Sequence, residues 1–288
     1  MAGVQPANGK PSGLPPMAGR SNLMLRIVSS LVLAPLAIAA AYFGGLAFFA
    51  FWTVAALAVL WEWDTLVCAD ERNLVLTTGA VVLAGSGLLI MIDRPGVAMA
   101  LIVLGCFGVA ALASSVRRVW CAAGLVYAAG HLVAPVLLRH DASFGFAAIL
   151  FLFVIVWLTD ITAYFVGRAV GGPKLMPRVS PNKTWSGAIG GTAAAVLGGV
   201  IVAHQFEVGG LVAAGAVAFV LSVISQAGDL LESAVKRQFN AKDASQLIPG
   251  HGGLMDRLDG FVTAAAAGAL IGMAHGGLDA PARGLMVW

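Results

Sequence analysis

Charge is what this chain has least of. Asp, Glu, Lys and Arg make up 11% of its 288 residues, against roughly 25% in ordinary soluble domains. So few charged groups are at odds with a water-soluble globular protein. Cysteine is equally scarce. Cys68, Cys106 and Cys121 form no Cys-x-x-Cys pair and lie in or beside apolar runs, so they suggest neither a disulfide framework nor a zinc site. The 36 glycines follow no three-residue period, which excludes collagen, and a 59% hydrophobic content excludes general disorder. What is abundant is Leu, Ala, Val and Gly in long runs, a composition suited to a lipid bilayer.

Residues 1–22, with Pro6, Pro11, Pro15, Pro16 and scattered polar residues, read as a flexible cytoplasmic tail. Nine apolar stretches follow, at about 25–44, 46–63, 74–92, 96–115, 119–138, 144–167, 187–205, 209–230 and 258–276, each close to the ~20 residues needed to cross the hydrocarbon. A cleaved signal peptide is the alternative reading of the first. The expected fold is therefore all-α, a polytopic integral membrane protein with about nine transmembrane helices. Cytoplasmic loops should carry the excess of Lys and Arg. With the N-terminus inside and the C-terminus outside, fourteen of the seventeen fall on the cytoplasmic side, and only Arg94, Arg139 and Arg283 lie outside. The chain divides into the tail, a scaffold of about five helices over 23–143, and a region of about four helices with two cytoplasmic loops over 144–288. Glu62, Asp64 and His131 sit at or near predicted span ends of the scaffold, where charge is readily tolerated.

Polar residues gather in the second region. Asp160, Tyr164 and Arg168 stand at i, i+4 and i+8, so one helix face presents an acid, a phenol and a guanidinium. An intramembrane acid needs a partner or a metal. The loop that follows carries Gly171, Gly172, Lys174, Arg178, Ser180, Asn182, Lys183 and Thr184, and a helix is expected from about Trp185. Donors beside a helix N-terminus make a plausible phosphate cradle, although basic loops also serve as topology signals. Asp229, Ser233 and Lys236, at i, i+4 and i+7, share a face at the end of the eighth span. Carboxylate suits Mg²⁺ and ammonium suits phosphate. Beyond them come Arg237, Lys242, Asp243, Ser245, then Pro249 to Gly253 with His251, and Asp256, Arg257 and Asp259 at the start of the ninth span. As isolated residues, Asp256 and Asp259 suit helix capping. An ion-coupled transporter and a membrane enzyme acting on phosphates are both open at this point, but the charges cluster at one side and no internal repeat is evident.

The run Ser233-Ala-Val-Lys236-Arg237, Lys242-Asp243-Ala-Ser245 and Ile248-Pro249-Gly-His251-Gly252-Gly253-Leu254-Met-Asp256-Arg257-Leu258-Asp259 resembles the signature of the phosphatidate cytidylyltransferases, the CDP-diacylglycerol synthases. The resemblance extends through Ser225, Gln226, Gly228 and Asp229, and through Asp160, Tyr164, Gly167 and Arg168 to Ser180-Pro-Asn-Lys-Thr-Trp185 and Gly187. Ser186 departs from it, since many members carry Glu there. The resemblance implies a Mg²⁺-dependent enzyme, with room for a second cation, that makes CDP-diacylglycerol and pyrophosphate from CTP and phosphatidate for phospholipid synthesis. By similarity Asp229 and Asp256 hold the metal, and Ser233 and Lys236 contact phosphate. Lys183, Arg168, Arg237, Lys242, His251 and Arg257 bind substrate, while Asp160, Asp243 and Asp259 stand behind them as supporting partners, with additional metal ligation the alternative role for Asp160 and Asp259. The resemblance further implies a multi-pass protein of the inner, cytoplasmic membrane, with its site at the cytoplasmic face among membrane lipids, and a homodimer. No nucleic-acid partner is expected. A related nucleotidyltransferase or kinase acting on another lipid acceptor is the alternative within the same chemistry.

Overall fold

The computed structural model describes residues 20–68, 72–248 and 252–288. His251 and residues 1–19 of the expected tail lie outside the described residues. Every expected span is a helix: α1 (Arg20–Phe43), α2 (Gly45–Val67), α3 (Arg72–Met91), α4 (Pro95–Leu112), α5 (Arg118–His140), α6 (Gly145–Val170), α7 (Trp185–Gln205), α8 (Leu211–Gln238) and α9 (Met255–Gly276). Helices α2 to α9 are each long and apolar enough to cross a bilayer, and the described apolar stretch of α1 is Leu31–Phe43. The chain is thus an all-α polytopic membrane protein.

Local chemistry sets the helix boundaries. Gly44, at φ 63°, makes the turn between α1 and α2. Pro95 opens α4, where its missing N–H is not needed. Thr184 caps α7 by accepting the N–H of Gly187 at 3.2 Å.

Two elements were not expected. The stretch read as a loop before α7 forms an antiparallel hairpin, β1 (Lys174–Met176) and β2 (Ser180–Thr184), with Lys174 opposite Thr184 and Met176 opposite Ser180. After α9 the chain turns back in a short helix, α10 (Pro281–Met286), which packs on α9. Both are too short for hydrophobic periodicity to register in sequence.

Small residues set the most extensive helix contact, α6 against α7. A Cβ at Gly187 would stand 2.6 Å from the Ala163 carbonyl oxygen, and one at Gly191 would stand 2.6 Å from that of Thr159. A buried polar seam ties α8 to this pair. The Thr159 and Ser222 hydroxyls lie 2.7 Å apart, Ser222 donates to Thr192 at 3.2 Å, and the Gln226 amide donates to Thr192 at 2.9 Å. Around the seam, α5 packs on both α2 and α9, joining the two halves of the chain in one core.

Candidate functional site

A cavity of about 1600 Å³ opens among α1, α2, α6, the hairpin, α7, α8 and α9. Its two ends differ in chemistry. Leu33 and Leu36 of α1, Ala50 and Val54 of α2, and Val156 and Trp157 of α6 make one wall apolar. The other end carries Asp160, Arg168, Lys183, Asp229, Arg257 and Asp259. Four aromatic residues line the region between the helices: Trp52 stacks on Phe261 at 4.8 Å, and Phe153 contacts Phe261 at 5.2 Å and stacks on Trp157 at 5.0 Å.

The acids are brought together by glycines. A Cβ on Gly228 would lie 2.1 Å from the Thr263 hydroxyl of α9, and one on Gly260 would lie 2.5 Å from the Ser225 hydroxyl of α8. These glycines adjoin Asp229 and Asp259 in sequence, so the close α8–α9 approach holds both carboxylates within electrostatic range of each other and of Asp160. Strand β2 brings Lys183 into the same space, where its ammonium pairs with the Asp229 carboxylate. Along α6, Arg168 donates to the Tyr164 hydroxyl at 3.0 Å at the rim of the cavity. Ser186, the departure from the motif, donates its hydroxyl proton to the Gly171 carbonyl and so links the end of α6 to the start of α7.

A second cluster lies beside the first. Lys236 is 8% exposed. Its ammonium stands 2.7 Å from Glu232 one turn earlier on α8 and 2.5 Å from Asp256 at the start of α9. The Asp256 carboxylate also accepts the backbone N–H of Gly253 at 2.8 Å and of Ala244 at 3.1 Å. These contacts bind the segment before α9 to the end of α8.

Of the residues singled out in the sequence, Asp160, Arg168, Lys183, Asp229, Lys236, Asp256, Arg257 and Asp259 all line the cavity. Ser233, Arg237, Lys242 and Asp243 do not. Arg237 instead donates to the Ala241 carbonyl at 3.0 Å, closing the end of α8. Sequence reading missed Glu232, and it took Glu62 for a charge at a helix end. Glu62 is wholly buried and accepts hydrogen bonds from Ser245 and from the N-terminus of α9. Its position inside an apolar helix is a signal that an intramembrane acid has a partner.

Residues 24–273 match the sequence profile of the cytidylyltransferase family. The chain belongs to that family. Among its relatives, a phosphatidate cytidylyltransferase of Brucella abortus biovar 1 is 47% identical over 247 residues, which cover 85% of this chain and 92% of that one. A phosphatidate cytidylyltransferase of Brucella suis biovar 1 is 45% identical over 262 residues, covering 91% and 97%. One from Haemophilus influenzae is 46% identical over 131 residues, covering 43% and 45%. For a cytidylyltransferase, a cavity with cationic and carboxylate groups at one end and an apolar wall at the other has the chemistry to hold a nucleotide beside a lipid.

Proposed function

We propose that this chain transfers the cytidylyl group of CTP to phosphatidate, giving CDP-diacylglycerol and pyrophosphate. The observation that carries the reading is the continuity of the cavity, in which the apolar wall of α1, α2 and α6 runs into the charged end at Lys183, Asp229 and Asp259. An amphiphilic substrate lays its hydrocarbon against the first and its phosphate against the second.

A phosphate oxygen of phosphatidate attacks the α-phosphorus of CTP. The bond from that phosphorus to the oxygen bridging to the β-phosphate breaks, and its electron pair leaves with pyrophosphate. The lipid phosphate is the nucleophile, so no protein nucleophile is needed. Bringing two polyanions together requires positioning and charge neutralisation. Lys183, Arg168 and Arg257, all at the cavity surface, supply the neutralising charge. Lys183 is held by Asp229 before substrate arrives and turns to phosphate when it does. Lys236, set between Glu232 and Asp256, fixes the local frame.

Magnesium fits this donor set. Among the described residues no group of three or more His, Cys, Asp or Glu forms a cage, but Mg²⁺ bound with nucleotide phosphates needs only one or two protein carboxylates. Asp229, Asp256 and Asp259 all supply carboxylates at the cavity surface; Asp229 pairs with Lys183 and Asp259 accepts the Gly260 N–H, whereas Asp256 is held by three donors, Lys236, Gly253 and Ala244. Asp229 and Asp259 would hold the ion, with Asp256 anchoring α9 beside them. When bound, Mg²⁺ neutralises phosphate oxygens and stabilises the departing pyrophosphate.

The excess of Lys and Arg supports a cytoplasmic position for this end of the helices, with the N-terminus inside, the C-terminus outside and the inner membrane as the location that goes with this reading. The test is purified protein in liposomes with phosphatidate, labelled CTP and Mg²⁺. Label enters lipid, and both EDTA and Asp229→Asn stop it. Absence of labelled lipid from well-folded wild-type protein would reject the reading.

A further inference from the structure

Glu62 belongs to α2, 192 residues before Leu254 and outside the motifs that mark the family. It is wholly buried. Its Oε1 accepts the Leu254 N–H at 2.8 Å and the Ser245 hydroxyl at 2.5 Å, and its Oε2 accepts the Met255 N–H at 2.6 Å. The first N–H groups of a helix have no partner inside it, and a carboxylate there both satisfies them and meets the positive end of the helix dipole. Gly253 provides a second, independent observation. A Cβ at this position would stand 2.8 and 3.0 Å from the two Glu62 oxygens and 3.0 Å from the Ala244 Cβ. The glycine in the motif is therefore required by a carboxylate from outside it. Asp256 grips the same segment through the N–H groups of Gly253 and Ala244, so two acids from different helices hold the entry to α9.

We infer that Glu62 is a positioning residue of the transferase site. It fixes the N-terminus of α9, and with it Asp256, Arg257 and Asp259, relative to Asp229 on α8. The inference rests on the cytidylyl transfer proposed above. Glu62 does not itself line the cavity, so it acts only through the residues it holds. Three donors converge on its two oxygens, an arrangement a carboxylate accepts and an amide does not. Glutamine would turn an N–H donor toward another donor, while aspartate keeps both acceptors on a side chain one methylene shorter.

The experiment measures kcat and the KM for CTP in the labelled-lipid assay for wild type, Glu62→Gln, Glu62→Asp, Gly253→Ala, the Glu62→Gln/Gly253→Ala double variant and Asp64→Asn. A misplacement of about 1 Å at a reacting centre can cost about a hundredfold in rate. Glu62→Gln should accordingly lower kcat by about 10- to 100-fold while the KM for CTP moves by less than about threefold. Gly253→Ala should do the same, and the double variant should be little worse than the worse single one, because both break one contact. Glu62→Asp should recover part of the loss. Asp64 is also wholly buried on α2, but its contact is the Cys68 thiol at 3.6 Å, and Asp64→Asn should keep the wild-type kcat. If Glu62→Gln does not fold, Ser245→Ala carries the test, since it removes one donor and leaves the helix cap, with kcat several-fold down. An active wild type with an equally active Glu62→Gln, an equal loss in Asp64→Asn, losses that multiply in the double variant, or an unaffected Ser245→Ala overturns the inference alone. A wild type that labels no lipid overturns the proposed reaction and this inference together.

Discussion

Lys183 and Lys236 look alike in sequence, each a cation in a polar motif, yet their surroundings predict different consequences of removal. The side chain of Lys183 is 29% exposed and has Asp229 as its partner at the cavity surface. Lys183→Met should reduce turnover at least tenfold and leave the thermal unfolding midpoint in detergent nearly unchanged, since partly exposed ion pairs contribute little to stability. Lys236 sits between Glu232 and Asp256, and its loss leaves two carboxylates facing each other without a cation. Breaking a buried pair in this way typically costs about 3–5 kcal/mol, so Lys236→Met should lower both turnover and the unfolding midpoint. Asp229→Asn completes the set. An amide cannot supply the charge of a carboxylate, and turnover should fall at least about a hundredfold, as loss of a preorganised charged group commonly does, with the protein still monodisperse. Near-normal turnover in all three variants would show that the charged end of the cavity is not the reaction centre.

Helix contacts in this protein depend on small residues and a few hydroxyls. Gly191 leaves no room for a methyl group against the Thr159 carbonyl, and the polar seam of Thr159, Ser222, Thr192 and Gln226 begins next to Asp160 on α6 and ends three residues before Asp229 on α8. Gly191→Val should therefore separate α6 from α7, lowering the unfolding midpoint by an overpacking cost of about 1–3 kcal/mol and turnover with it. Helix α10 offers a comparison at the other end of α9. A Cβ at Gly284 would stand 2.1 Å from the Gly272 carbonyl oxygen. Gly284→Ala should dislodge α10 and lower the midpoint while the KM for CTP stays unchanged, because neither residue lines the cavity. A changed KM would mean that α9 transmits the disturbance to its acidic end.

At the scale of the whole molecule, nine long helices and one charged end among the described residues predict opposite sides for the two termini. Fourteen of seventeen basic residues fall on one side under that arrangement. A C-terminal alkaline phosphatase fusion should be active and a C-terminal green fluorescent protein fusion dark. The reverse pattern would place the cavity at the outer face, away from cytoplasmic CTP. The spans were legible because a bilayer demands about 20 apolar residues per helix, and that demand can be read without tertiary contacts. The same regularity made the first five helices uninformative. Nothing in the repetition of Leu, Ala and Val marks Leu33, Val54 or Trp52 as cavity residues, since lipid and cavity wall call for the same apolar side chains.

The sequence by itself determined the membrane class, the nine long helices and most of the acids and cations of the site, because apolar run length and motif spacing are properties of neighbouring residues. Only the tertiary structure decided which of those residues meet. It drew Lys183 to Asp229 through a hairpin with no periodic signal, and it left Ser233, Arg237, Lys242 and Asp243 outside the cavity. It also joined Glu62 to the start of α9 across 193 residues of chain. A buried carboxylate and unpaired helix N–H groups find each other in space, and no local pattern in the chain records that pairing.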